Sequence, residues 1–521
     1  MNEHDAIFIG AGHNALACAA HLAGRGWKVA LFEAAERPGG AVKTLELTAP
    51  GFRHDYAAMN LSLFAGSAFH RDHAAELAGH GLAFAPVQDC FASVFPDGRW
   101  LGVSTDLAAT AARIRAFSGR DADTWEALAK DFPARSANLF SVLGAPMKKR
   151  AIARIAFSIL RREGFSGSLE LLRFLMSSPR AWLDETFESG EVKALLAAWG
   201  LHLDFAPDIA GGAVFPYLEG MASQSFGMSL GKGGADTMID ALVAMVEARG
   251  GSVTCGARVD RIETSGGRAT GVVLADGRRI GARKAVIGSV APRALATLLQ
   301  NGSGDGRFDR RMRAFRHAPG TMMVHLALDD LPGWPDPALR RFAYVHIAPS
   351  LDMMARAYAD AVAGLLPKEP VIVVGQPTAI DPGRAPQGKH VLWLQVRMAP
   401  AQIAGDAAGE IAARDWDGAK DAFADRALAI VERHAPGLRD RIVGRAVFGP
   451  LDLERDNANL VGGDQICGSH HLAQNFLFRP AAGAGWRTPI RNFHLVGAAT
   501  WPGAGVGAGS GYMLARELAG G

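Results

Sequence analysis

Residues 5–33 read DAIFIGAGHNALACAAHLAGRGWKVALFE, and this stretch decides the fold. Ala6 to Ile9 form an apolar run of buried-strand length. Gly10-Ala11-Gly12-His13-Asn14-Ala15 follows as GxGxxA, a helical pattern runs to about Arg25, and Lys28 to Phe32 predict a second strand ending on Glu33. Alone, the glycine pattern is weak. Between a strand and a helix, with an acidic residue roughly 20 positions on, it predicts a dinucleotide site. Gly10 permits the tight turn, Gly12 admits a pyrophosphate, and Ala15 keeps helix and strand close. His13 and Asn14 open the helix, whose free N–H groups and positive dipole end favour phosphate. The Glu33 carboxylate suits both hydroxyls of a ribose.

Outward from Glu33, residues 34–47 read AAERPGGAVKTLEL. A glycine pair directly after the acidic residue is more than an NAD site needs. Together with PGFRHDYAAMNLSLF (50–64), it resembles the flavoprotein superfamily of amine oxidases, phytoene desaturases and carotenoid isomerases. The similarity is greatest to the phytoene desaturase-related branch, which includes the pyridine nucleotide-disulfide oxidoreductase domain-containing protein 2 group and carotenoid ketolase-like enzymes. That resemblance implies one non-covalent FAD, with Ala34, Arg37, Gly40, Ala41, Met59 and Asn60 among its contacts. Ala15 stands where the branch usually has glycine.

The resemblance also sets the organisation. It implies an α/β protein: a Rossmann-type FAD-binding domain, a doubly wound parallel sheet built from 1–70, 228–295 and 486–521. An α+β substrate-binding domain from 71–227 and 296–485 is interleaved with it. The pattern over 71–227 reads as helical and irregular. Ile239, Leu242, Val243 and Val246 mark a helix, and short strands follow with turns at Gly250-Gly251, Gly266-Gly267 and Asp276-Gly277. By the resemblance, Val259 lies beside the adenine.

The chain ends HLVGAATWPGAGVGAGSGYMLARELAGG (494–521). A strand followed by alternate glycines and a short helix brings bare backbone against a ligand. Gly497, Ala498, Pro502, Gly505, Val506 and Gly507 are therefore candidate flavin contacts, with Gly503, Gly505 and Gly507 removing Cβ atoms that would strike the ring. The final helix is expected to begin near Val506, its dipole favouring hydride acceptance by the flavin. Trp501 stands where the branch usually has histidine, and is expected to line the substrate face. His471, in DNANLVGGDQICGSHHLAQNFLFRP (456–480), is the second catalytic candidate.

Amine-oxidising members of the superfamily commonly keep a lysine near the flavin; the candidate strand Thr321–Leu328 has none, and only His325 titrates there. Five tyrosines make an amine cage hard to assemble. Long apolar segments rich in Phe and Met fit a lipophilic, polyene- or isoprenoid-like substrate. The leading expectation is an FAD-dependent desaturase or oxidase taking hydride from carbon, with oxygen or a quinone as acceptor. An FAD-dependent isomerase or saturase is the alternative, and a non-enzymatic binder of prenylated or lipophilic partners is the third. The glycine-rich flavin turn argues against the third.

Composition narrows the field further. A formal net charge of +3 over 521 residues, with no basic tail, speaks against nucleic acid. Four scattered cysteines without a CxxC, and His70/His73 without a third ligand, give no metal site. No signal peptide or spanning segment stands out, so a cytoplasmic protein is expected. MKKRAIARIAFSILRR (147–162) combines an apolar stripe (Ile152, Ile155, Ala156, Ile159, Leu160) with basic flanks, and is a candidate for peripheral contact with a membrane.

Overall fold

The computed structural model describes residues 3–520. Strand Glu3–Ile9 pairs in parallel with Val29–Phe32 on one side and Arg279–Gly288 on the other. Ser252–Thr254 and Phe493–Leu495 extend the parallel sheet at Val29–Phe32 and Arg279–Gly288 respectively. Val259–Ser265 and Arg268–Leu274 add antiparallel strands at one edge. Alternation along the strands explains the two-sided cover. Phe8 and Leu31 face helices His13–Gly24, Thr237–Ala248 and Gly509–Leu518. Ile7, Ile9, Ala30 and Phe32 face the opposite cluster with Val259, Val272 and Leu295. Each fully buried Leu or Phe here contributes roughly 1.5–3 kcal/mol.

A second sheet of seven strands runs Ile442–Phe448, Gly320–Leu328, His390–Ala399, Val371–Gly375, Tyr344–Ile347, Asp89–Val94, Trp100–Ser104. One face packs on helix Trp416–His434 through Val324, Leu392, Leu394 and Phe423. The other carries Met323, Tyr344 and Trp393 into a cluster with helices Gly190–Gly200 and Val214–Phe226. Asp89–Val94 and Trp100–Ser104 form an antiparallel hairpin inside the stretch whose pattern reads as helical. Its turn is Pro96-Asp97-Gly98, with Gly98 at φ 81°.

The packing crosses two expected boundaries. Helix Ala68–Gly79 places Phe69 and Leu77, followed by Leu82, in the cluster of helix His13–Gly24, so that unit continues past residue 70. Leu298, Leu299, Phe308 and Met312 pack on the other face of the first sheet, beyond residue 295. In both cases an apolar helix face requires cover, supplied in the first by helices Thr237–Ala248 and Gly509–Leu518 and in the second by the sheet.

Candidate cofactor site

The site is built where the parallel strands end at their carboxyl edge, the usual place for a ligand in such sheets. Gly10 turns the chain at φ 91°, its N–H on the Phe32 carbonyl at 2.8 Å. Gly12 caps helix His13–Gly24 and bridges to Gly39. Gly39 donates to the Ala11 carbonyl at 2.9 Å, and a Cβ there would meet the Val42 carbonyl at 2.5 Å. Gly40, at φ 63°, lies against Gly12. The two glycine segments thus form one bare-backbone cradle at a helix N-terminus. Ala15 is fully buried beneath it.

Glu33 closes the cradle. Its Oε2 accepts from the Ala11 N–H at 2.8 Å and its Oε1 from the Ala35 N–H at 2.9 Å. A carboxylate has about four acceptor positions, so lone pairs remain for a ligand's hydroxyls. The Glu33 carbonyl receives the Ala257 N–H at 2.8 Å, which brings the chain near Val259 to the same edge. Ala34 and Arg37 are exposed there, and Ala41 is half-buried. Asn60 accepts from the Ser62 N–H at 2.9 Å, and the Met59 sulfur accepts from the Trp393 indole at 3.2 Å.

The C-terminal turn arrives from the other side. Gly497 donates to Ser510 Oγ at 3.1 Å, and Ser510 Oγ meets Thr500 Oγ1 at 2.6 Å. The Asn14 side chain accepts from the Gly511 N–H at 3.3 Å, and a Cβ on Gly511 would collide with the Asn14 carbonyl. Helices His13–Gly24 and Gly509–Leu518 therefore meet at a contact that only glycine permits. His13 Nε2 meets the Asn14 side-chain amide nitrogen at 2.9 Å, and burial lowers its pKa to about 4.

Several expectations need correction. The final helix begins at Gly509 rather than near Val506, because the Gly507 N–H turns back onto the Gly505 carbonyl at 2.9 Å and closes a tight turn across Val506. A Cβ on Gly503 would strike His470, and one on Gly505 would strike Leu63, so these glycines first make room for protein. Gly507, Val506 and Pro502 lie in the same turn, with Pro502 against Gly509. Trp501 is buried: its indole donates to the Ala145 carbonyl at 3.0 Å and its ring stacks on Phe476 at 5.2 Å. Those contacts anchor the turn to neighbouring segments. His471 points away, to the Asp204 carbonyl at 2.8 Å and the Asp204 carboxylate at 3.2 Å. Its neighbour His470 is the one that meets the turn, its Nε2 accepting from the Ala504 N–H at 3.0 Å. Burial, with the charge of Arg479, keeps His470 neutral.

Residues that the motifs did not mark complete the site. Ser289, at the end of strand Arg279–Gly288, has its carbonyl against Gly10 and its hydroxyl near Gly12 and Gly497. Asn459 donates to that carbonyl at 3.0 Å, and Asn457 reaches Gly40. Fully buried Arg479 donates to the carbonyls of Ser469 and Ala498 at 2.8 and 2.7 Å, clamping 467–469 to the turn.

A glycine cradle, a helix N-terminus, a free-sided carboxylate and a second glycine turn opposite fit FAD. The model of flavin-containing amine oxidoreductases matches residues 16–444. The chain belongs to the flavin-containing amine oxidoreductase family. It is an FAD-dependent oxidoreductase. It is 28% identical to pyridine nucleotide-disulfide oxidoreductase domain-containing protein 2 of Rattus norvegicus, over 99% of this chain and 94% of that one. It is 24% identical to a neurosporene-forming phytoene desaturase of Cereibacter sphaeroides, over 96% and 91%. An oxidoreductase from Methanosarcina mazei shares the fold at a TM-score of 0.61 and 19% identity, covering 98% of this chain and 99% of that one.

Proposed function

We propose that this flavoprotein removes hydride from carbon of a lipophilic, polyene- or isoprenoid-like molecule, with oxygen or a quinone as final acceptor. FAD, when bound, supplies the hydride acceptor. Gly10, Gly12, Glu33, Gly40, Val259 and the 497–507 turn hold it. Ser289, Asn459 and Arg479 fix the segments that carry those groups, and His470 holds the turn through Ala504. The division into an FAD-binding and a substrate-binding unit belongs to the same proposal.

One observation carries the substrate class. Ala41, which follows the cradle's Gly40, packs on one continuous apolar cluster that holds Tyr56, Ala57, Met59, Trp393, Tyr344, Trp199 and Met221. That cluster extends outward to Leu171, Phe174 and Leu175 of helix Lys149–Met176. An apolar interior of this reach suits a long hydrocarbon body. Carbon rather than nitrogen chemistry is favoured because strand Gly320–Leu328 offers only His325, fully buried and held well below its usual pKa by burial. The test is anaerobic mixing of the FAD-loaded enzyme with separate panels of isoprenoid hydrocarbons and of primary amines. Bleaching of the flavin absorbance by a hydrocarbon is expected; bleaching by amines alone overturns the reading.

Peripheral membrane contact through 147–162 belongs to the same reading. Helix Lys149–Met176 has no buried residue, and Phe157 (65%) and Phe165 (73%) stand in solvent. Among the described residues no helix is long and apolar enough to cross a membrane. An exposed apolar stripe with basic flanks suits the surface of an anionic bilayer. Lys148 is already paired with Glu517 at 2.8 Å, so the charges to reverse are Lys149, Arg150 and Arg154. Wild type should sediment with anionic vesicles at low salt and the triple variant should not. Equal sedimentation of the two removes the proposal.

A further inference from the structure

Strand His390–Ala399 lines the interior with every second residue, and its polarity changes along its length. Trp393 donates to the Met59 sulfur at 3.2 Å, and Gln395 donates to the Ala57 carbonyl at 3.2 Å. Arg397 comes next on that face, donating to Thr321 Oγ1 at 3.1 Å and to the Leu201 carbonyl at 2.8 Å. At a strand rise of about 3.3 Å per residue, Arg397 lies roughly 13 Å along the wall from Trp393.

Around Arg397 the interior holds polar atoms that find no partner among the described residues. Arg397 is 4% exposed, and neither its Nε nor the Trp199 Nε1 has an acceptor. Both nitrogens of fully buried His346, the His202 Nε2 and the Ser93 hydroxyl are likewise without partners. These groups are one cluster. The Trp199 ring lies 4.7 Å from His202 and 5.1 Å from His346, and Ser93 is the register partner of His346 on the adjoining strand. Among the described residues the guanidinium forms no ion pair. Of the carboxylates acting on it, Asp464 accepts from backbone N–H groups, and Asp204 meets His471 through Oδ2 while its Oδ1 has no partner among the described residues. A purely hydrocarbon ligand leaves such donors unpaired, which is costly in an apolar interior.

We propose that this cluster is a subsite for an oxygen acceptor, a carbonyl or carboxylate, at one end of an otherwise apolar substrate. The inference rests on the lipophilic reading above and narrows it. The substrate lies along strand His390–Ala399, with its reacting carbon near Met59 and its oxygenated end at Arg397. Arg397 and Trp199 donate, and the neutral histidines and Ser93 adapt as donor or acceptor. Requiring an oxygen discriminates strongly against analogues that lack it, because the buried donors are then left bare.

The test uses FAD-loaded protein and three polyenes of equal length: all-trans-retinoic acid, retinal and the corresponding hydrocarbon. Binding is read by quenching of tryptophan fluorescence. The acid or the aldehyde should bind roughly tenfold or more tighter than the hydrocarbon, the scale set by pairing two buried donors. Which of the two binds tighter tells carboxylate from carbonyl. Arg397→Met should erase this preference and leave hydrocarbon binding intact. Trp199→Phe, which keeps the ring and removes only the donor, should reduce it, and guards against misfolding of the arginine variant. Equal affinities in wild type overturn the subsite and leave the lipophilic reading standing, with water satisfying the cluster. Failure of all three probes to bind overturns both.

Discussion

Replacing Glu33 removes the acceptor on which the cofactor cradle converges. Its two oxygens each hold one backbone N–H, from Ala11 and from Ala35, and keep lone pairs free for hydroxyls. Hydrogen bonds to a charged group are worth about 1.5–3 kcal/mol, and Glu33 is half-buried, so solvent replaces part of the loss. Glu33→Ala should therefore weaken FAD binding by about 2–3 kcal/mol, roughly 30–150-fold. Glu33→Gln separates charge from shape. Its amide retains one acceptor oxygen but turns an NH2 toward one of the two N–H groups, donor against donor. It should lie close to the alanine variant instead of close to wild type. The assay is titration of apoprotein with FAD, read by quenching of flavin fluorescence. If both variants bind within about threefold of wild type, Glu33 is not a cofactor ligand and the reasoning fails.

Other consequences are as direct. Gly511→Ala puts a methyl group into the Asn14 carbonyl, and overpacking of this kind costs roughly 1–3 kcal/mol or more; the melting temperature and FAD retention should fall together, and a change in neither would refute the helix contact. Arg479→Met strips the buried carbonyls of Ser469 and Ala498 of their donor and should cost about 3 kcal/mol in urea unfolding, whereas a loss under about 0.5 would show that the clamp is idle. Burial holds His54 at about 4 and His346 at about 3, so below their ordinary pKa the unfolded chain takes up protons that the folded chain refuses. Stability should accordingly fall as pH drops from about 6.5 toward 4, by up to ~1.4 kcal/mol per pH unit for each such histidine; a flat or rising profile contradicts the burial of these rings.

The parts of the site legible in the sequence are those where backbone geometry dictates residue type. Gly10, Gly39 and Gly40 are such positions, because each holds a positive φ that favours glycine and a Cβ on Gly39 would strike the Val42 carbonyl, and Glu33 follows from its place after the second strand. Ser289 and Asn459 are not legible, because common polar residues reach the cradle only through contacts distant in sequence. A strand's carboxyl end at Gly288 was the one local pointer to Ser289. His470 and His471 differ by a single residue of phase in a segment without periodicity, so only the fold shows which one touches the turn. The partners of Trp501 are not legible either: its ring meets Phe476 and Ala145, both distant in sequence or without a motif. The hairpin of Asp89–Val94 and Trp100–Ser104 had a local mark in Pro96-Asp97-Gly98, outweighed by the helical pattern on either side. For 147–162 the apolar stripe is plain in sequence, but whether anything covers it is a property of the packed molecule.

The central claim is that the two glycine-rich ends of this chain close on one non-covalent FAD. Its most direct test is the visible spectrum of the purified protein, followed by acid denaturation and identification of what is released. Flavin absorbance is expected, with intact FAD set free in equal amount to protein. Protein without flavin absorbance, or flavin that stays bound to the denatured chain, contradicts it.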